Sequence, residues 1–218
     1  IHNQGNLFLK KKKIQILISN SVSRFKDLNK YFYKYNTSSQ AFITLKLAIS
    51  QNGYVKDFNS PDITSKKTQQ YLHYLRLRHD AIGVGYNTLI DDQPQLTCRL
   101  NGINKHLKKI IFIKKNTNSS IQNNNFQFID YDKNSLKQSL YDKLLKSNVR
   151  SLLVEGGLST FMNFFKTGCY DEIVLTKSKN NVVSSSAKYK IKKNLFDGLL
   201  EHSNNNYGND QIIVYKNK

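Results

Sequence analysis

Residues 149–164 read VRSLLVEGGLSTFMNF, and this stretch decides the fold. The apolar run before Glu155 predicts a buried strand, the two glycines predict a turn, and the pattern from Leu158 predicts an amphipathic helix. Glycines let a ligand approach the backbone, and the free N–H groups of a first helical turn favour an anion such as phosphate. Glu155 would lie at the carboxyl end of its strand, where open α/β sheets place their ligands. On this stretch alone, an ordinary strand–turn–helix connection is the simpler explanation, because the spacing matches neither the P-loop nor the full dinucleotide fingerprint.

Strands and helices alternate through most of the remaining chain. Hydrophobic patterns predict strands over 42–50, 81–85, 109–113, 126–129, 172–176 and 211–215, and helices from Thr64 or Ser65 to Arg78 and over 136–145. The segments 87–100 and 177–193 are predicted to be loops, the second of them mobile. This alternation predicts an α/β fold with a mostly parallel central sheet, helices on both faces and antiparallel strands at the C-terminal end.

The first 40 residues differ in pattern from the rest. They predict a strand over 14–18, a helix over 22–35 and a polar linker over 36–40. We therefore expect a short N-terminal segment, residues 1–40, ahead of a main domain over 41–218.

The amino-acid composition excludes some classes of function for this chain. The chain has 34 Lys and Arg against 15 Asp and Glu, a formal net charge of +19. The lysines are scattered rather than clustered with aromatics, which argues against a specific nucleic-acid partner but suits phosphorylated small molecules. No apolar run is long enough for a membrane span. Cys98 and Cys169 stand outside any CxxC or Cys/His metal spacing, so we expect no metal site and a reducing cytoplasm.

Several short motifs, in one order and at characteristic spacings, resemble those of one family. They are Thr44-Leu45-Lys46-Leu47-Ala48, Ile63-Thr64-Ser65, Arg76, Gly83-Val84-Gly85, Thr88, Asp92, Pro94, Leu96-Thr97-Cys98-Arg99 and Val154-Glu155-Gly156-Gly157. The family is the reductase domain of the bifunctional riboflavin-biosynthesis deaminase/reductase, which has the dihydrofolate-reductase-like fold. The resemblance covers residues 41–176. Residues 5–35 also resemble the end of that protein's deaminase domain, so 1–40 would be its C-terminal remnant plus a linker.

The resemblance implies a reaction and a cofactor. The reaction is reduction of 5-amino-6-(5-phosphoribosylamino)uracil to the ribitylamino compound with NADPH, by a homodimer. The implied cofactor contacts are Ala48, Thr88 and Asp92 at the nicotinamide half, Asp62 where the family often has a tryptophan, and Gly157, Leu158, Ser159, Thr160, Phe161, Met162 and Asn163 around the pyrophosphate. The implied substrate contacts are Ser60, Arg76, Leu96, Arg99 and Glu155.

Chemistry gives these residues plausible roles. The two arginines would suit a phosphate, and the Glu155 carboxylate could accept hydrogen bonds from the N–H groups of a uracil. Asp92 and Glu155 are the candidate catalytic residues. Asp92 would assist proton transfer, or it would only cap loop N–H groups or orient the cofactor amide, and both roles stay open.

The chain departs from the family pattern at three places. Asn52 stands where the family often has an aspartate, and Asp62 stands where a tryptophan is frequent. The Gly53–Asp62 loop is shorter than usual, and the polar run 177–181 replaces an apolar one. These departures affect the expected cofactor edge and dimer contacts.

Two other functions remain open at this point. The first is a dihydrofolate-reductase-like enzyme acting on another pterin or pyrimidine, and the second, less favoured, is a basic nucleic-acid-binding module. Deamination is not expected, because the chain has only two cysteines, no Cys-x-x-Cys pair and no His-x-Glu.

Overall fold

The computed structural model describes residues 4–17, 22–57, 63–100, 102–103, 105–114, 125–131 and 136–217. The strands are β1 (Phe42–Ile49), β2 (Tyr54–Asp57), β3 (Ala81–Gly85), β4 (Lys108–Lys114), β5 (Phe126–Tyr131), β6 (Ser151–Val154), β7 (Glu172–Lys177), β8 (Ala187–Lys190), β9 (Leu200–Tyr207) and β10 (Asp210–Lys216). The helices are α1 (Gln4–Lys11), α2 (Val22–Leu28), α3 (Lys30–Ser38), α4 (Lys66–Arg78), α5 (Tyr86–Asp92), α6 (Leu136–Lys146) and α7 (Leu158–Lys166), with a 3₁₀ turn at Ser184–Ser186. Within these ranges, every helix is too short or too polar to cross a membrane.

Eight strands form one sheet in the order β5-β4-β3-β6-β1-β7-β10-β9. The first six of these are parallel, whereas β10 pairs antiparallel with both β7 and β9. The carboxyl ends of β1, β3, β4 and β6 therefore meet at one edge of the sheet. The remaining strands, β2 and β8, form a separate antiparallel pair.

Alternation along the strands divides the core between the two faces of the sheet. On β1, Ile43, Leu45, Leu47 and Ile49 face a large cluster that also holds Phe161 and Phe164 of α7 and Leu140 of α6. On the other face, Leu72 and Leu75 of α4 pack on Leu153 and Val174. Both faces are covered by helices, so the central strands are apolar on both sides.

Helix α3 is fastened to the main sheet by charge and by an aromatic ring. Lys30 is ion-paired with Glu172, and the Lys34 ammonium donates to both Asp171 oxygens at 2.6 and 2.7 Å. The Tyr31 ring lies 5.1 Å from the Phe42 ring, measured between centroids. The N-terminal segment therefore shares contacts with the main domain rather than standing apart from it.

A buried polar chain continues inward from the Lys30 contact. The Thr44 hydroxyl donates to Glu172 at 3.0 Å and lies 2.9 Å from Nε2 of His79, whose Nδ1 donates to the Leu75 carbonyl at 2.7 Å. Thr44 and His79 are fully buried, and Glu172 is 3% exposed. Burial lowers the pKa of His79 to about 4, so the ring is neutral at physiological pH.

The predicted fold class is confirmed, and so are the main strands and helices within one or two residues at most boundaries. The predicted helix start is also right, because the Ser65 hydroxyl accepts from the Thr68 N–H at 3.4 Å. Five local predictions differ from the structure. The predicted loop 87–100 begins with helix α5, and the predicted helix over 22–35 consists of two helices, α2 and α3. Residues 14–17 form no strand, and residue 18 lies outside the described residues. The linker prediction fails because α3 extends to Ser38, and the segment 177–193 contains β8.

Candidate active site

A cleft of about 840 Å³ opens at the edge where the parallel strands end. Its walls come from β1 (Lys46, Leu47, Ala48), from the β3 end and α5, from β4 and from residues 155–160. Open α/β sheets bind ligands at this edge, and the volume lies within the usual range of about 300–1,000 Å³ for ligand sites.

Two glycines allow the first turn of α7 to sit directly on the strand ends. A Cβ added at Gly85 would lie 2.2 Å from Oγ1 of Thr160, and one added at Gly156 would lie 2.5 Å from Cβ of Thr160. The Gly157 N–H donates to the Thr88 hydroxyl at 3.1 Å, which fixes the turn against α5. The N–H groups of Leu158, Ser159 and Thr160 belong to the first helical turn and border the cleft. Such groups are suited to a bound anion.

Arg76 and Glu155 form a paired salt bridge in the cleft. Nε and Nη2 of Arg76 donate to the two Glu155 carboxylate oxygens at 2.8 and 2.9 Å, and Nη1 donates to the Thr97 carbonyl at 2.9 Å. Burial by itself raises the pKa of Glu155, but the Arg76 hydrogen bonds and charge outweigh it and hold that pKa below its ordinary value. Glu155 is therefore a carboxylate at neutral pH, with a fixed orientation.

The β2–β8 pair forms an arm over the cleft. Lys56 of β2 donates to Asp92 of α5 at 2.6 Å, so the arm is connected to the opposite wall. Val55 of β2 and Tyr189 of β8 also line the cleft. The side chains of the Lys56–Asp92 pair are 36% and 45% exposed, so this connection lies at the mouth of the cleft.

Most of the residues singled out in the sequence come together in this cleft. Its lining includes Ala48, Thr88, Asp92, Arg76, Leu96, Glu155, Gly157, Leu158, Ser159 and Thr160. The sequence suggested that Arg76 would bind a phosphate, but its guanidinium is already hydrogen-bonded within the protein. It uses three of its five N–H donors on Glu155 and Thr97, so its position fits the role of orienting Glu155.

The structure places several other predicted residues elsewhere. Phe161 is 1% exposed in the core and its N–H donates to the Gly157 carbonyl, so its position does not support the predicted pyrophosphate contact, which stays a prediction. Met162 and Asn163 follow it on α7, beyond the first turn, and are also absent from the cleft wall. Ser60 and Asp62 lie outside the described residues.

Arg99 is exposed and does not line the cleft. Leu96 is inserted into the core at 2% exposure, and the Arg99 N–H donates to Nδ1 of His73 at 3.1 Å. The Arg99 guanidinium donates to the Gln95 side chain at 3.2 Å. These contacts turn the side chain of Arg99 outward, beside α4 rather than into the cleft.

Sequence reasoning missed the cleft residues on the arm and on β4. They are Val55, Lys56, Tyr189, Phe112 and Lys114. The arm carries no strong strand pattern, since β8 reads AKYK and is mostly exposed. The β4 residues could have been found, because Lys114 follows a four-residue buried run at the carboxyl end of a predicted strand.

Comparisons with known proteins identify relatives of this chain. Residues 41–178 match the family described as "RibD C-terminal domain". The riboflavin biosynthesis protein RibD of Aquifex aeolicus is 30% identical over 177 residues, which is 69% of this chain and 49% of that protein. A Debaryomyces hansenii protein named 2,5-diamino-6-ribosylamino-4(3H)-pyrimidinone 5′-phosphate reductase is 36% identical over 64 residues, 28% of this chain and 26% of that protein.

Solved structures show the same fold. The structure described as a diaminohydroxyphosphoribosylaminopyrimidine deaminase/5-amino-6-(5-phosphoribosylamino)uracil reductase from Thermotoga maritima has a TM-score of 0.76 at 20% identity and covers 99% of this chain and 67% of its own. The chain spans about half the length of the curated RibD relatives it matches, between 49% and 58% for three of them.

Proposed function

Because the chain belongs to the RibD C-terminal domain family, we propose that it reduces 5-amino-6-(5-phosphoribosylamino)uracil to the ribitylamino compound in riboflavin biosynthesis, with NADPH as the reductant. The names of its relatives support a phosphorylated aminopyrimidine as the substrate class. The observation that carries the proposal is the combination, in one cleft, of an anion-binding helix start and a fixed carboxylate, Glu155.

The cleft residues fit a dinucleotide phosphate. The first turn of α7 offers the N–H groups of Leu158, Ser159 and Thr160, and the missing Cβ atoms at Gly85 and Gly156 bring that turn onto the sheet. The pyrophosphate would be held there, and Ala48 and Thr88 would border the nicotinamide half. When bound, NADPH supplies the hydride for the sugar carbon.

Glu155 would orient the pyrimidine. Its carboxylate accepts hydrogen bonds, its charge is maintained by Arg76, and it can therefore bind the N–H edge of a uracil. The pair is mostly buried, with side chains 17% and 8% exposed, so a substrate bound there is shielded from water. Asp92 is the proposed proton-transfer residue, because it lies on the opposite wall and accepts a hydrogen bond from the Lys56 ammonium.

The test is loss of reduced nicotinamide absorbance when the chain is mixed with NADPH and the deaminated pyrimidine phosphate. We expect turnover with this substrate and none with dihydrofolate, which separates the proposal from a reductase of another pterin. Glu155→Gln should raise KM while leaving NADPH affinity unchanged. If the chain binds NADPH but does not oxidise it when the pyrimidine phosphate is added, the proposed substrate is wrong.

We also propose that the chain forms a homodimer through its C-terminal strands. The support is that β9 is the outermost strand of the sheet on that side and that its side chains are mostly exposed. An edge strand offers unpaired backbone groups to a second copy. Light scattering at micromolar concentration should give twice the chain mass of 25.3 kDa, and a monomer would contradict this.

A further inference from the structure

We propose that His73 is a positioning residue for the proposed reaction: its ring fastens residues 97–99 to helix α4 and so keeps Arg76 and Glu155 in the orientation that receives the pyrimidine. This inference rests on the proposed function, because it concerns how the carboxylate proposed to bind the pyrimidine is held in place. His73 lies on α4, is half-buried and does not itself line the cleft.

Three hydrogen bonds attach consecutive residues of the loop after α5 to helix α4. Nη1 of Arg76 donates to the Thr97 carbonyl at 2.9 Å. The Cys98 thiol donates to the His73 carbonyl at 3.4 Å, and the Arg99 N–H donates to Nδ1 of His73 at 3.1 Å. Because His73 and Arg76 are three residues apart on α4, their side chains lie on the same face of the helix. One helix face therefore holds the loop at each of these three residues.

The backbone just before these contacts is in a conformation that needs such restraint. Leu96 has a φ of +51°, in the left-handed region, which is unfavourable for a leucine and persists only where neighbouring contacts fix it. Gln93, three residues earlier, also has a positive φ, of 40°. The Leu96 side chain is 2% exposed and borders the cleft. The contacts at Thr97 and Arg99 therefore hold the cleft wall in a shape that its own sequence does not favour.

A change in this loop reaches the proposed pyrimidine site through Arg76. Nε and Nη2 of Arg76 donate to the two Glu155 oxygens at 2.8 and 2.9 Å, while Nη1 of the same guanidinium donates to Thr97. Because the guanidinium is a rigid plane, a displaced Thr97 carbonyl turns the two donors that orient Glu155. We therefore expect a loosened loop to weaken pyrimidine binding and to leave nucleotide binding unchanged.

The contact between His73 and Arg99 depends on the protonation state of the ring. A neutral ring that accepts at Nδ1 carries its hydrogen on Nε2, whereas a protonated ring has N–H groups at both nitrogens and cannot accept. Burial and the charges of Arg76 and Arg99 lower the pKa of His73 below its ordinary value of 6.5. Glu155 and a hydrogen bond to the Thr97 backbone act in the opposite direction without cancelling this shift. The contact is therefore present at neutral pH and is lost as pH falls through the pKa of the folded-state ring.

The experiment compares wild type with His73→Leu, which removes the acceptor, and with His73→Asn, whose side-chain oxygen can accept the Arg99 N–H but does not titrate. At neutral pH, KM for the pyrimidine phosphate should rise about two- to tenfold in His73→Leu and stay near the wild-type value in His73→Asn, with the NADPH dissociation constant unchanged in both. His106→Asn is the matched control, because it replaces an exposed histidine outside the cleft lining, and it should change neither constant.

The pH dependence of KM separates a positioning role from a merely structural one. As pH is lowered from about 7.5 to about 5, the ratio of the wild-type KM to that of His73→Asn should rise in step with protonation of the His73 ring, followed by NMR. The phosphate of the substrate titrates near pH 6, about equally for both proteins, so this ratio removes its contribution.

Thiol labelling gives a second measurement that does not require turnover. Cys98 lies in the loop that His73 holds and is partly exposed, whereas Cys169 is fully buried. A maleimide should therefore react faster with Cys98 in His73→Leu than in wild type, and His73→Asn should restore the wild-type rate.

The outcomes separate this inference from the proposed function. If His73→Leu matches wild type in both KM and labelling, or if His73→Asn behaves like His73→Leu, the acceptor at Nδ1 does not position the loop and the inference is overturned. A KM ratio that stays constant while the ring titrates also overturns it. If wild type does not turn over the pyrimidine phosphate, the proposed function fails, and the labelling rates still decide whether His73 holds the loop.

Discussion

Replacing Arg76 by methionine tests the pairing on which the cleft depends. The variant leaves the Glu155 carboxylate, 8% exposed, without its two charged donors. Removing one partner of a buried ion pair costs about 3–5 kcal/mol, because the remaining charge stays desolvated. We therefore expect the free energy of unfolding at pH 7 to fall by about that amount, measured by urea denaturation.

The pH dependence of this effect has a defined sign. In wild type the pKa of Glu155 is held below its ordinary value of 4.5, so the stability from the pair is present above 4.5 and is lost as pH falls through the folded-state pKa. Without Arg76, burial raises the pKa above that value instead. The deficit of Arg76→Met should then be largest at neutral pH and shrink as acidification protonates Glu155.

Two further variants test whether the loss of stability comes from the buried pair Arg76–Glu155. Arg150→Met removes a cation whose side chain is 53% exposed and lies 3.5 Å from Asp80, so it should cost less than about 1 kcal/mol. Arg76→Met combined with Glu155→Met should recover most of the lost stability, because a buried pair replaced by apolar groups of similar size is often neutral. A cost for Arg76→Met equal to that of Arg150→Met, or one that does not vary with pH, would refute the reasoning.

Three other variants follow from the geometry. Gly85→Ala should lower the free energy of unfolding by about 1–3 kcal/mol, because the added methyl group would clash with the Thr160 hydroxyl. Adding Thr160→Ala should remove most of this loss, and an equal loss in both backgrounds would contradict the close approach. Lys30→Met should lower the unfolding temperature more than Lys216→Met, since Glu172, the partner of Lys30, is 3% exposed and Asp27, the partner of Lys216, is 49% exposed. Equal decreases in the unfolding temperature would argue against a structural role for α3. Arg99→Ala should leave KM for the pyrimidine phosphate nearly unchanged, because the Arg99 side chain lies outside the cleft lining and contacts Gln95. A rise of about tenfold or more would show that Arg99 binds the phosphate.

The central sheet and the turn after β6 could be predicted because their signals are local. The strand β1 alternates strongly, and residues 151–158 join an apolar run, two glycines and an amphipathic helix. The α5 helix was missed because it spans only seven residues and its N-cap, Gly85, has no side chain to signal a helix start. In contrast, the segment 14–17 has a strand-like sequence but pairs with no strand among the residues that the structure describes.

Elements that depend on a distant partner could not be predicted. The strand β9 contains the polar run Ser203-Asn204-Asn205-Asn206, and it is extended because it pairs with β10. The β2–β8 arm joins residues far apart in the chain, so the contact between Lys56 and Asp92 has no local signal. The salt bridge between Arg76 and Glu155 likewise has no local signal, because 79 residues separate the two side chains and only the folded chain brings them together.

The buried chain from His79 to Glu172 has a consequence for spectroscopy. The Thr44 hydroxyl carries one hydrogen but stands between two acceptors, since Nδ1 of the neutral His79 ring holds the ring hydrogen and leaves Nε2 as an acceptor. With Lys30 paired to the Glu172 carboxylate, the hydroxyl donates to that carboxylate. Removing Lys30 leaves the negative charge of Glu172 uncompensated beside the hydroxyl and the His79 ring. The nitrogen chemical shift of His79 Nε2 therefore reports, from the centre of the domain, whether the ammonium of an N-terminal helix is in place. Lys30→Met isolates this signal, because it leaves the neighbouring Tyr31 ring in contact with His79.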